Sequence, residues 1–346
     1  MRHNNKTLLN LSLAAAAAAM ALGAASSASA ATLDDVSSRG ELHCGVNVGL
    51  SGFSSPDENG KWQGLDVETC RAISAAVFGD ADKVVYTPLT AKERFTALQS
   101  GEIDVLSRNT TWTATRDNSL GLNFTTTTFY DGQGFMVAKD LGIGSLEDLN
   151  GASICIQSGT THELNLADYF PAKGIDINTV TFDTPDQTAS GFASGRCDVL
   201  TSDTSQLSAL RLQLPEPDSV EILTELISKE PLGPVVAQGD DQWFDIVKWT
   251  VFAMVNAEEL GITRDNVEQM KNDPPNPQVA RLLGVDGTYG EQLGLSNDWA
   301  YNIVSQVGNY GEVFADTVGE NSPLGISRGM NALWNEGGIL YAPPIR

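Results

Sequence analysis

Short apolar runs alternate along this chain with stretches whose apolar positions return at helical spacing. Leu42-His43-Cys44-Gly45-Val46-Asn47-Val48 predicts a first strand, Val67 to Val77 an amphipathic helix, and Val84-Val85-Tyr86 a second strand. A helix from Phe95 stops at Gly101 and delivers the chain to the apolar run Ile103-Asp104-Val105-Leu106. Strand and helix in this alternation predict an α/β lobe with a largely parallel sheet.

A second cycle opens with the extended segment Gly134 to Ala138. It continues through the strand Ser153-Ile154-Cys155-Ile156-Gln157, helices at His162 to Tyr169 and Gln187 to Ser194, the strand Cys197 to Thr201 and a helix from Thr204 to Leu212. Lys229 to Ala237 is extended and contains proline, which suits a return crossover before the long helix Trp243 to Leu260. Two such cycles in 346 residues exceed a single hydrophobic core, so two lobes are expected. No sequence repeat and no Pro, Ser or Gln tract marks a linker, and the lobes are expected to share short crossover strands.

The amino-terminal pattern is different in kind. Arg2 and Lys6 precede an apolar run from Leu8 to Ala25, and Ala28-Ser29-Ala30 then supplies small residues, the order of a secretory signal peptide cleaved after Ala30. Asn10 and Ser12 interrupt the run, and no stop-transfer pattern follows, which argues against a retained anchor. The expected product is an exported chain, periplasmic in a Gram-negative source, and the lack of a cysteine at the cleavage site argues against a lipoprotein. Of the 21 Lys and Arg, only Arg2 and Lys6 lie in this leader, so 19 basic side chains face 44 acidic ones, a formal charge of −25. Such a surface is a poor partner for nucleic acid.

Four cysteines in an exported chain suggest disulfides, and four allow three pairings. Cys44 with Cys70 and Cys155 with Cys197 is the expected pairing, because each bridge then stays within one lobe. Four buried thiols are the alternative.

The densest candidate chemistry is Ser107-Arg108-Asn109-Thr110-Thr111-Trp112-Thr113-Ala114-Thr115-Arg116, directly after an apolar strand. Hydroxyls and amides leading into a guanidinium suit a carboxylate, which the planar fork of Arg116 can grip with two hydrogen bonds. The competing reading is a capped helix start with a surface arginine. Ser158-Gly159-Thr160-Thr161 repeats the theme before a helix, where free N–H groups could hold an anion or the hydroxyls could cap. Asp203 follows a strand's carboxyl end, where ligand groups gather in open α/β sheets, or it caps the next helix.

With Gly64-Leu65-Asp66-Val67-Glu68, Gly159-Thr160-Thr161 and Gly195-Arg196-Cys197-Asp198, these residues resemble the amino-acid branch of the periplasmic solute-binding proteins, family 3, that serve ATP-driven importers. Cys44-Gly45-Val46-Asn47, Tyr130 to Phe135, Thr160 to Phe170 and the extension beyond Gly261 are similar to the general L-amino-acid-binding subgroup and its glutamate, glutamine, aspartate and asparagine-binding relatives. The resemblance implies a two-lobed type II binding-protein fold. Lobe 1 would be residues 31–136 with 236–346, lobe 2 residues 137–235, and two crossover strands would form the hinge. It also implies an L-amino acid ligand and an inner-membrane ABC permease as partner; no cofactor or metal is expected, and a monomer is expected although a weak dimer is equally compatible with the sequence.

By position, the resemblance assigns the ligand α-carboxylate to Arg116, Thr111, Thr161 and the backbone near Gly159 and Thr160, and the α-ammonium to Asp203. Asn109 and Arg108 become candidates for the ligand side chain or carboxylate. One departure concerns the aromatic wall of the family, for which this chain offers Leu50 or Phe53 in Gly49-Leu50-Ser51-Gly52-Phe53. An enzyme reading finds little support, because no His-Glu-x-x-His, Gly-x-Ser-x-Gly or complete phosphate loop is present and only His43 and His162 follow the leader. A lyase or dehydratase on the same fold, or a sensor subunit presenting its ligand to a receptor, are the alternatives.

Overall fold

The computed structural model describes residues 32–346, so the signal-peptide reading lies outside the described residues. The first lobe starts with β1 (Leu42–Asn47), a hairpin of β2 (Ser55–Pro56) and β3 (Trp62–Gln63), then β4 (Val84–Leu89), β5 (Val105–Leu106) and β6 (Leu122–Phe124). The chain leaves through β7 (Phe129–Asp131) and builds a second sheet from β8 (Gln133–Ala138), β9 (Ser153–Gln157), β10 (Asn178–Phe182), β11 (Val199–Asp203) and β12 (Val220–Ile222). It returns through β13 (Glu230–Leu232) and adds β14 (Val235–Ala237) to the first sheet.

The sheet orders are β4-β1-β5-β14-β6 and β10-β9-β11-β8-β12. In each, three parallel strands with the earliest of them in the middle are followed by one antiparallel strand and then by an edge strand that again runs parallel to the first three. The two lobes thus share one topology although no repeat is legible in the sequence: apolar periodicity is enough to dictate the layers, and many residues satisfy it. The crossover strands pair with each other, Glu230 opposite Asp131 and Leu232 opposite Phe129, and form the double connection between lobes.

Both expected disulfides are formed, with Cα–Cα separations of 6.3 Å for Cys44–Cys70 and 5.5 Å for Cys155–Cys197. The first ties β1 to the helix Leu65–Phe78, and the second ties β9 to the turn before β11. Closing loops of these lengths restricts the unfolded chain by about 3–4 kcal/mol each in the loop-entropy account.

Gly64 shows why the segment before that helix needs glycine. Its φ is +122°, and an added Cβ would lie 2.3 Å from the Phe53 carbonyl oxygen, which instead accepts the Asp66 N–H at 2.9 Å. After β14 the long helix Asp241–Glu259 and the carboxyl-terminal helices pack onto the first lobe around Trp243, Trp299 and Phe314. This extension also grips the first crossover. Tyr310 Oη donates to the Thr128 carbonyl at 2.7 Å, and the Asn331 amide pairs with both backbone groups of Tyr130, at 2.7 and 3.1 Å.

Among the boundaries that differ from the sequence expectation, three bear on the cleft. The strand before the polar segment is only Val105–Leu106, because Ser107 onward turns toward the second crossover. Asp203 is the last residue of β11 and does not lie beyond it. The helix from His162 runs on to Lys173 through Pro171, since a proline in the final turn forfeits little of the hydrogen-bond ladder.

Candidate functional site

The polar segment after β5 lies along the second crossover: Trp112 N–H donates to the Pro231 carbonyl at 2.8 Å and Gly233 N–H to the Thr110 carbonyl at 3.1 Å. Its turn is held from beneath by Asp66, whose carboxylate accepts the Asn109 N–H at 2.8 Å and the Ser107 hydroxyl at 3.4 Å. Asn109 has φ +31°, the sole positive φ outside glycine among the described residues, a conformation that tertiary contacts must impose. Burial pushes the Asp66 carboxyl up to about 7, against the stabilising Asn109 N–H and Arg108 charge.

Three guanidiniums are buried around this segment, and none has a carboxylate at ion-pair distance among the described residues. Arg116 stays near the segment by donating from Nη1 to the Thr111 carbonyl at 2.9 Å and stacks over Phe95 at 5.3 Å. Arg108 donates from Nε to the Leu89 carbonyl at 2.9 Å, and its Nη2 has no hydrogen-bond partner. Arg94 reaches the Thr110 hydroxyl and the Gly159 carbonyl, both at a long 3.4 Å, and its Nε has none. Burial lowers Arg108 and Arg116 to about 10, and it lowers Arg94 well below the usual range, with repulsion from Arg116 and Arg108 adding to it. Desolvated cations without counterions are costly, and the cost is removed by an anion that enters between them.

Arg94 escaped the sequence reading because Glu93-Arg94-Phe95 looks like the charged start of a surface helix. The available signal was spacing: Arg94 precedes Ala97 by three and Leu98 by four residues, which places it on that helix's buried face.

The opposing side is acidic. His162 Nε2 lies 3.1 Å from Asp203 Oδ1, and Glu230 on β13 accepts from Thr161 at 2.9 Å, Asn165 at 2.8 Å and Ser228 at 2.6 Å. Ligating atoms of His162, Asp203 and Glu230 lie within 4.8 Å of one another, a cation-attracting geometry that no metal-like spacing in the sequence announced. The cap readings of both loops are decided here. Neither Asp203 nor Thr161 caps its helix through its side chain. Asp131, on β7, takes over that task by accepting from Thr204 and from the Ser205 N–H at 3.2 Å. Burial, then the nearby Asp203 charge, pushes Asp131 up to about 7. Thr113 does cap, accepting the Arg116 N–H at 3.2 Å.

The other sequence candidates fall in different places. Gly159 is on the inter-lobe seam: its N–H donates to Glu163 at 2.8 Å, and an added Cβ would press on Lys92 Cγ at 3.0 Å. The Thr160 hydroxyl turns back to the Gln157 carbonyl at 2.7 Å. Phe53 and Leu50 both belong to the first-lobe core, with Phe53 edge-on to Phe129 at 5.4 Å. Trp112 stacks on Phe124 at 5.7 Å.

Asn109 joins the lobes. Its Oδ1 accepts from Asn47 at 3.0 Å and its Nδ2 donates to Gln206 Oε1 at 3.1 Å, across the cleft. This hydrogen bond exists only with the lobes together, so Gln206→Ala should accelerate ligand dissociation about threefold to tenfold with little change in association rate, as read by stopped-flow fluorescence. An unchanged dissociation rate would remove Asn109 and Gln206 from the closing contacts.

Two lobes on paired crossovers, with buried cations facing buried anions, define a hinged binding protein for a small charged molecule. The chain belongs to the bacterial extracellular solute-binding proteins, family 3, whose model matches residues 42–265. It is 60% identical over 319 residues to the general L-amino acid-binding periplasmic protein AapJ of Rhizobium johnstonii, covering 92% of this chain and 93% of that one. It is 51% identical over 317 residues to the glutamate/glutamine/aspartate/asparagine-binding protein BztA of Rhodobacter capsulatus, covering 92% and 94%. A solved periplasmic binding protein of Brucella ovis with glutathione bound superposes with a TM-score of 0.90 at 54% identity, over 92% of this chain and all of that one, 100%.

Proposed function

We propose that this protein captures L-amino acids between its lobes in the periplasm and delivers them to an ABC permease, and that it favours acidic side chains. The carrying observation is the set of three buried arginines without ion-pair partners facing Asp203 and Glu230. A zwitterion bound with its α-carboxylate on Arg116, assisted by Thr111, and its α-ammonium at Asp203 satisfies one charge on each side. Arg94 and Arg108 then remain for a second anionic group. The relatives' amino-acid names support the ligand class, and BztA's name covers the acidic amino acids together with their amides.

In this reading the first sheet, with the carboxyl-terminal extension, moves against the second sheet about β7 and β13, so that residues 133–136 travel with the second lobe and Val235 with the first, and ligand contacts to both sides select the closed form. Removal of the leader after Ala30 and action as a monomer without chemical turnover belong to the same proposal. Isothermal titration of ligand-stripped protein tests it. L-glutamate and L-aspartate should bind at micromolar affinity or tighter, their amides next, and neutral or basic amino acids weakest; reduced glutathione belongs in the series. Equal affinities across the series would replace the acidic preference with a general one. Altered ligand recovered after long incubation would favour a lyase.

A further inference from the structure

Asp203 does not meet the cleft alone. His162 Nε2 sits 3.1 Å from its Oδ1, both side chains are almost fully buried, and Glu230 completes the triangle from the second crossover. The imidazole's other nitrogen, Nδ1, is buried without a partner. The carboxylate of Asp203 at Nε2, with Glu230 nearby, is what places His162 to serve as an internal cation for this pair, while Nδ1 finds no protein partner in either protonation state. The charged groups facing the ring agree. Asp203 at the end of β11 and Glu230 on β13 attract a proton to it, while Asp131 on β7, itself pushed up to about 7, stands behind Asp203. Arg116 from the first lobe repels one, as does the amino-terminal end of the helix that His162 opens. Burial pushes the imidazole pKa down, but the charge and hydrogen bond of Asp203, with Glu230, outweigh it and the net direction is upward.

We propose that His162 makes amino-acid binding proton-linked: its imidazolium and the ligand's α-ammonium share one carboxylate pair, so the arriving ammonium drives the imidazole proton off to solvent. The coupling rests on the amino-acid reading above. The sign follows from the shared carboxylates. A second cation beside Asp203 lowers the proton affinity of His162, so binding releases a proton, affinity falls as pH drops through the titration of His162 in the ligand-free protein, and it levels off above that. Neither the sequence, where His162 looks like an exposed residue of a helix start, nor the α-carboxylate grip requires this.

The test uses the mature protein and L-glutamate. His43 and His162 are the only histidines beyond the leader, so both are resolvable by NMR, and His43, paired with Glu41 at the surface, is the internal reference. Saturating L-glutamate should lower the His162 midpoint by about one unit or more and leave His43 in place, and affinity should weaken about tenfold from the high-pH to the low-pH limit. Calorimetry in phosphate and in Tris should give heats that differ in the direction of proton release. His162→Gln, which keeps a donor toward Asp203, should lose the part of the pH dependence that follows the His162 midpoint and keep the part that follows Asp131 and Asp66. Binding with an unmoved His162 midpoint would overturn the coupling and leave the ligand reading intact. No binding of any amino acid would overturn the ligand reading and the coupling with it.

Discussion

Arg116→Ala is expected to weaken L-glutamate binding by at least about thirtyfold in isothermal titration, with the thermal midpoint of the ligand-free protein unchanged or raised. The reason lies in what the guanidinium already has. One nitrogen is spent on the Thr111 carbonyl, which fixes the fork's position, while no carboxylate of the protein pairs with it. Truncating one partner of a buried, hydrogen-bonded charge pair costs about 2–5 kcal/mol, the upper part of which arises from the charge left behind. Here that stranded charge would belong to the ligand carboxylate. The ligand-free protein loses the Thr111 hydrogen bond and the Phe95 contact, but it also sheds a buried cation that has no counterion, so its stability should not fall. Affinity within threefold of wild type would displace Arg116 from the carboxylate grip.

Arg94→Leu should separate side-chain recognition from the α-amino-acid grip. A charge-assisted hydrogen bond to a carboxylate contributes about 1.5–3 kcal/mol, so L-glutamate should lose roughly tenfold or more in affinity while L-glutamine changes by less than about threefold. Leucine fills a similar volume without a desolvated charge, and Arg94 is held by only two long hydrogen bonds, so the ligand-free variant should melt higher than wild type. The measurement is paired titration of both ligands with differential scanning calorimetry of the empty protein. Parallel losses for glutamate and glutamine would make Arg94 a support for the Gly159 seam and not a reader of the side chain.

Much of the architecture was legible before any coordinates. The period of apolar residues marked β1, β4 and β9 and the helices after them, because a strand or helix must bury one face and the composition of that face is local information. Arg116 and Asp203 stood out for a similar reason, since polar residues directly following apolar strands are unusual unless they cap or bind. What periodicity could not supply was occupancy. The Asn109 amide, read as a ligand contact, has both ends engaged by Asn47 and Gln206. The expected aromatic wall, Phe53, lies in the first-lobe core. Glu230 and Asp131 received no role from the sequence, although Asp131 lies within the subgroup phrase Tyr130 to Phe135, yet the pairing of β7 with β13 sets them side by side at the cleft.

Alone, the sequence determined the α/β alternation, the acidic charge that disfavours nucleic acid, the cysteine pairing that keeps bridges local, and one arginine suited to a carboxylate. Each depends on residues near one another in the chain or on composition. Tertiary structure decided which charges meet. Arg94, Arg108 and Arg116 converge from separate elements, and Asp203 acquires His162 from 41 residues away and stands close to Glu230 on the return crossover. Electrostatic interaction depends on distance through space and on desolvation, and both are fixed only when the two lobes are folded and joined at their shared strands.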